Sequence, residues 1–110
     1  MHVGDLDGAT SLKGKSGKWE AVVTVMIHDA SHNPVANASV TATWSGSKSG
    51  TVTGTTGTNG TVSFATGAIN GTSVTLTIVG VTHTSLGYGS GSNHDPDSDS
   101  NGTSITVNKP

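Results

Sequence analysis

Hydrophobic and polar positions alternate with a period of two along most of this 110-residue chain. The pattern is clearest from Trp19 to His28, where Trp19, Ala21, Val23, Val25 and Ile27 share one side. Successive strand side chains point to opposite faces, so this spacing predicts a strand with one apolar face. Val22 and Met26 on the other face imply partial cover on both sides. From Ala38 to Ser45, Ala38, Val40, Ala42 and Trp44 alternate with Ser39, Thr41, Thr43 and Ser45. The same rhythm recurs over Ser73 to Thr82 (Val74, Leu76, Ile78) and Ser104 to Asn108 (Ile105, Val107). Val3 to Leu6 reads as a short first strand, followed by a polar, Gly-rich loop over residues 9–18. Thr51 to Thr56 and Thr61 to Ala65 read as two strands of a hairpin through Gly57-Thr58-Asn59-Gly60, because Asn-Gly accommodates positive φ. Asp29 to Pro34 and Asn70-Gly71 are turns, and residues 83–103 form a long Gly/Ser/Asp loop. These segments predict an all-β fold: an antiparallel Ig-like β-sandwich of about seven strands, as a single domain over residues 1–110.

Composition sharpens this picture. Leu, Ile, Val and Phe fill only 21 positions, which in a highly charged chain would signal disorder. Here the formal charge is −2 and charged residues make up 11%, so thin Val/Thr strands are the better reading. There is no Arg and there are only five Lys, so no basic stripe exists for nucleic acid. No apolar run approaches the ~20 residues of a membrane span, so direct membrane insertion is not expected. The absence of Cys leaves the redox compartment unread. No signal peptide is visible, and Met1 leads straight into strand-like sequence; the expectation is a domain excised from a larger secreted protein.

Two segments carry a resemblance. Asn33-Pro34-Val35-Ala36-Asn37-Ala38-Ser39-Val40 resembles the PVxxAxV segment of bacterial and archaeal immunoglobulin-like surface modules, and Thr58-Asn59-Gly60-Thr61-Val62-Ser63-Phe64 resembles their hairpin segment. Both are similar to invasin/intimin-type Ig-like repeats. The segments His2 to Gly8 and Asn93 to Ile105 also resemble Ig-like domains at the ends of large secreted prokaryotic proteins. The resemblance implies an extracellular or cell-surface setting and non-enzymatic work.

For specific chemistry, the acidic run stands out. Asp95, Asp97 and Asp99 alternate on a loop continued by Ser100, Asn101 and Gly102. Alternating oxygen donors suit Ca²⁺, which takes 6–8 oxygens. An EF-hand is excluded, since its Gly position is Ser100 and its Glu position is Thr106. In an Ig-like topology the final loop and the first strand lie at one end, which would bring Asp5 and Asp7 toward this run. The candidate Ca²⁺ ligands are therefore Asp5, Asp7, Asp95, Asp97, Asp99 and Asn101, with a solvated acidic turn as the plainer alternative. His2, His28, His32, His83 and His94 form no HExxH, and His28 and His32 sit on a strand that ends in a turn. They read as exposed polar residues rather than a Zn²⁺ site.

Catalytic patterns are missing. There is no G-x-S-x-G, and Gly14-Lys15-Ser16 lacks the first glycine of a P-loop. Four sequons, at Asn37, Asn59, Asn70 and Asn101, follow from turn chemistry. Trp44 and Phe64 read as core, which leaves Trp19 and Tyr88 as the rings available to a glycan. The expected function is a non-catalytic structural spacer or adhesion module with a Ca²⁺-stabilised end loop; the alternative is a carbohydrate- or ligand-binding sandwich. Its expected partners are neighbouring domains of the parent chain, another cell-surface protein or a glycan.

Overall fold

The computed structural model describes residues 1–13, 18–29, 31–84, 87–88 and 103–109. Seven strands run β1 (His2–Lys13), β2 (Lys18–His28), β3 (Ser39–Gly46), β4 (Gly50–Thr55), β5 (Thr61–Ala65), β6 (Ser73–Thr82) and β7 (Ser104–Asn108). They form a three-stranded sheet, β1-β2-β5, and a four-stranded sheet, β4-β3-β6-β7, with every pairing antiparallel. The sandwich is therefore Ig-like in its pairing, with one difference from the constant-type arrangement. There the fourth strand joins the sheet of the first, second and fifth; here β4 lies on β3.

The alternation read along the sequence is the core. Trp19, Ala21, Val23, Val25 and Ile27 are fully buried, as are Ala38, Val40, Ala42 and Leu76, while Trp44, Val74, Ile78, Ile105 and Val107 are nearly so. Buried apolar area of this kind contributes about 25 cal/mol per Å². Two threonines carry polar atoms into the interior with their hydrogen bonds satisfied. Thr56 Oγ1 donates to Val35 O at 2.7 Å and accepts from Ala38 N at 2.9 Å, and Thr66 Oγ1 accepts from Ala21 N at 3.1 Å. The two sheets close against each other where side chains are missing. A Cβ on Gly54 of β4 would meet Val62 and Phe64 of β5, and one on Gly8 of β1 would meet Val107 of β7.

Two expectations are corrected. The stretch read as a loop from Ala9 onward continues β1, and Ala9 to Lys13 pair with Val22 to Lys18. Ladder bonding needs no apolar alternation. Ala9 to Leu12 are exposed, so this half of the strand carries no hydrophobic signature. Second, β4 and β5 do not form a hairpin. The turn is present, with Gly60 N donating to Gly57 O at 3.0 Å, but it carries the chain from the β3 edge of one sheet to the β2 edge of the other. An Asn-Gly turn looks the same locally whichever strand its exit segment pairs with.

Candidate metal centre

Three imidazoles meet at one end of the β1-β2-β5 sheet. His2 pairs directly with His28 across β1 and β2, and His32 folds back over them from the following turn. One ligand-capable nitrogen from each of His2, His28 and His32 lies within 4.8 Å of the others. The ring centroids are 5.9 Å apart for His2 and His28, 5.2 Å for His2 and His32, and 5.9 Å for His28 and His32. All three pairs are edge-on, with interplanar angles of 79–88°. The arrangement corrects the reading of these histidines as exposed: His2 is buried, His28 half-buried and only His32 exposed.

The local backbone explains how they converge. A β-bulge between Val3 and Asp5 shifts the β1-β2 register, so that Val3 and Leu6 both point inward although three residues apart. Gly4 occupies the bulge, and its missing side chain is the space that the His28 ring fills. A Cβ there would overlap His28 Nδ1 and lie 2.6 Å from His28 Cγ. On the other side of the ring, His28 Nε2 lies 3.0 Å from Met26 Sδ.

The turn that delivers His32 is built by Asp29. Its Oδ1 accepts from Ser31 N at 2.9 Å and Asn33 N at 3.0 Å, while its carbonyl accepts from His32 N at 2.9 Å. These bonds hold His32 at φ 63°, a left-handed conformation that His adopts more readily than most residues. The Asn33 backbone N–H, chiefly, holds the Asp29 carboxyl below its ordinary range, with the Ser31 N–H adding to it.

Chemically, three imidazoles edge-on to one another suit a borderline cation such as Zn²⁺. Tetrahedral bonds of about 2.0–2.1 Å set ligand nitrogens about 3.4 Å apart, so closing on an ion asks the rings to draw in by roughly 1.5 Å at most. The exposed His32 side offers an entry path.

The residues singled out from the sequence fall in several places. Asp5 and Asp7 lie opposite Met26 and Thr24 in the β1-β2 register, both half-buried. Asp95, Asp97, Asp99 and Asn101 lie outside the described residues, as does His94. Of the long segment before β7, Gly87 accepts from the Met1 amino group at 2.6 Å, and Tyr88 packs partly buried on the core. Trp19 is fully buried and its Nε1 donates to Gly71 O at 3.2 Å, so it offers no face to a sugar. A shallow groove of about 350 Å³ is lined by Asn37, Ser39, Thr82, His83 and Thr84, with no Trp, Tyr or Phe among them. The histidine site was missed because its ligands come from two strands and a turn. Only the i, i+4 spacing of His28 and His32 hinted at it, and on a strand that spacing is uninformative until the turn reverses the chain. Compared with protein-family models, curated proteins and solved structures, the chain matches none of them.

Proposed function

We propose that this chain is a non-catalytic β-sandwich module of a secreted or cell-surface protein, and that a transition-metal ion at His2, His28 and His32 fastens its first strand. The convergence of three imidazoles within 4.8 Å carries this reading. Among the described residues β1 is an edge strand, paired in its sheet with β2 alone. An ion bound there would tie its first residue, His2, both to its partner strand and to the turn beyond. The function is mechanical: it fixes the end of the domain at which a neighbouring domain or a partner protein would pull.

Binding to the folded state alone stabilises by RT ln(1 + [L]/Kd), about 2.7 kcal/mol at a hundredfold excess over Kd. For a domain near this size that is a rise in Tm of about 10 °C. The metal-stripped protein is melted with and without Zn²⁺, beside the His32→Ala variant. The wild type is expected to gain several degrees and the variant none, because His32 is exposed and its loss leaves the core intact. Equal melting of the wild type with and without Zn²⁺ would sink the reading.

A Ca²⁺ clamp between Asp5, Asp7 and the acidic run is a second reading. It is favoured by the Met1 to Gly87 hydrogen bond, which sets Gly87 against the start of β1. Repeating the melts with Ca²⁺ separates the two, since His32→Ala leaves the clamp's carboxylates in place.

A further inference from the structure

We infer that the histidine centre has a fourth protein ligand, the Met26 thioether, and that it is built to hold reduced copper, Cu(I), in preference to Zn²⁺. The inference rests on the three-histidine reading above and adds the identity of the ion.

Three observations lead to it. Met26 and His28 are two residues apart on β2, and so project from the same face. Neighbours on one strand face stand roughly 6.6 Å apart along the chain. Their tips nevertheless meet, with His28 Nε2 at 3.0 Å from Met26 Sδ, so both side chains lean into one spot. A metal bonded to nitrogen at about 2.0 Å and to sulfur at about 2.3 Å sets those atoms about 3.0–3.5 Å apart for bond angles of 90–110°. The observed separation, here a hydrogen-bond contact, matches the spacing of two ligands on one ion.

The second observation is the Gly4 cradle. Its bulge leaves room for the imidazole on the Nδ1 side, so Nε2 is the nitrogen turned toward the sulfur. The third is the gradient of exposure. His2 is buried, Met26 and His28 are half-buried, and His32 is exposed. Met26 is therefore partly shielded from water, as His28 is.

Ligand chemistry then selects the ion. Imidazole suits Zn²⁺ and copper alike, but a neutral thioether is a soft donor that favours Cu(I). Three imidazoles alone form a zinc-type site with an open position. Three imidazoles and a thioether form a closed, four-coordinate site of mixed softness. Asp5 stands opposite Met26 in the ladder and is the competing fourth donor. A carboxylate in that position would turn the preference back toward Zn²⁺.

The test titrates the full chain anaerobically with Cu(I) against a chromogenic Cu(I) chelator, and separately with Zn²⁺. Wild type is compared with Met26→Leu, Asp5→Asn and His32→Ala. Leu keeps the volume of Met, so the fold is expected to survive. One Cu(I) per wild-type chain is expected, with affinity at least tenfold weaker in Met26→Leu and within threefold of wild type in Asp5→Asn. Zn²⁺ affinity is expected to stay within threefold in Met26→Leu, and both ions to be lost in His32→Ala. X-ray absorption of the Cu(I)-loaded Met1→Leu protein is expected to show a sulfur scatterer, which only Met26 can supply; it keeps the question open to test if Met26→Leu misfolds. Unchanged Cu(I) affinity in Met26→Leu, or no sulfur in the Met1→Leu spectrum, overturns the copper assignment. If wild type binds Zn²⁺ and the sulfur is absent, only this inference fails. If it binds neither ion, the three-histidine reading fails with it.

Discussion

Gly4 shows how much a single hydrogen in place of a side chain can decide. The outer face of β1 would be crowded by any Cβ at the bulge, and the atoms it would strike belong to the His28 ring. Gly4→Ala is therefore expected to push that ring out of the cluster. The cost to stability is about 1–3 kcal/mol, the usual range for overpacking. The more specific result is that the Zn²⁺-induced rise in Tm disappears. Urea unfolding checks the first and thermal melts with and without Zn²⁺ check the second, and an alanine variant that keeps the metal response would remove the cradle from the argument. None of this can be read from residue types alone. A glycine in a strand suggests a bulge or a close approach, but which ring approaches depends on the register of another strand.

At the scale of elements, the turn after β2 does the positioning. Asp29 Oδ1 gathers the Ser31 and Asn33 amides, and the turn they shape presents His32 to the two strand histidines. Asp29→Ala removes the charge-assisted acceptor of the Ser31 and Asn33 amides. Zn²⁺ affinity by calorimetry is expected to fall about tenfold or more, with little change in the Tm of the metal-free protein, since the turn residues are largely exposed. Asp29→Asn keeps an acceptor oxygen and is expected to fall less. A full loss of the metal-free fold in Asp29→Ala would show that the turn supports the sandwich rather than the site. The elements themselves were legible wherever one face meets the core. β2, β3, β6 and β7 follow from alternation because their inward positions are apolar and buried. The outer half of β1 was not legible, since its side chains face solvent and only its backbone is bonded.

For the whole molecule, both tryptophans belong to the core: Trp19 is 0% and Trp44 2% exposed. Native emission is expected to be blue-shifted and weakly quenched by acrylamide, moving to the red only on unfolding. A readily quenched native Trp would contradict this packing and return Trp19 to the glycan reading. The sequence by itself determined the class of fold and the strands that bury an apolar face. Each of these follows from local periodicity or summed composition, which need no knowledge of neighbours. Tertiary structure alone decided that β4 leaves β5 for β3, because sheet membership depends on which edge the chain reaches after its turn. It alone decided the histidine cluster as well. His2, His28 and His32 come together only once β1 is in register with β2 and the Asp29 turn has reversed the chain. A metal centre is a meeting of ligands distant in sequence, and that distance is closed by pairing, a bulge and a turn acting together.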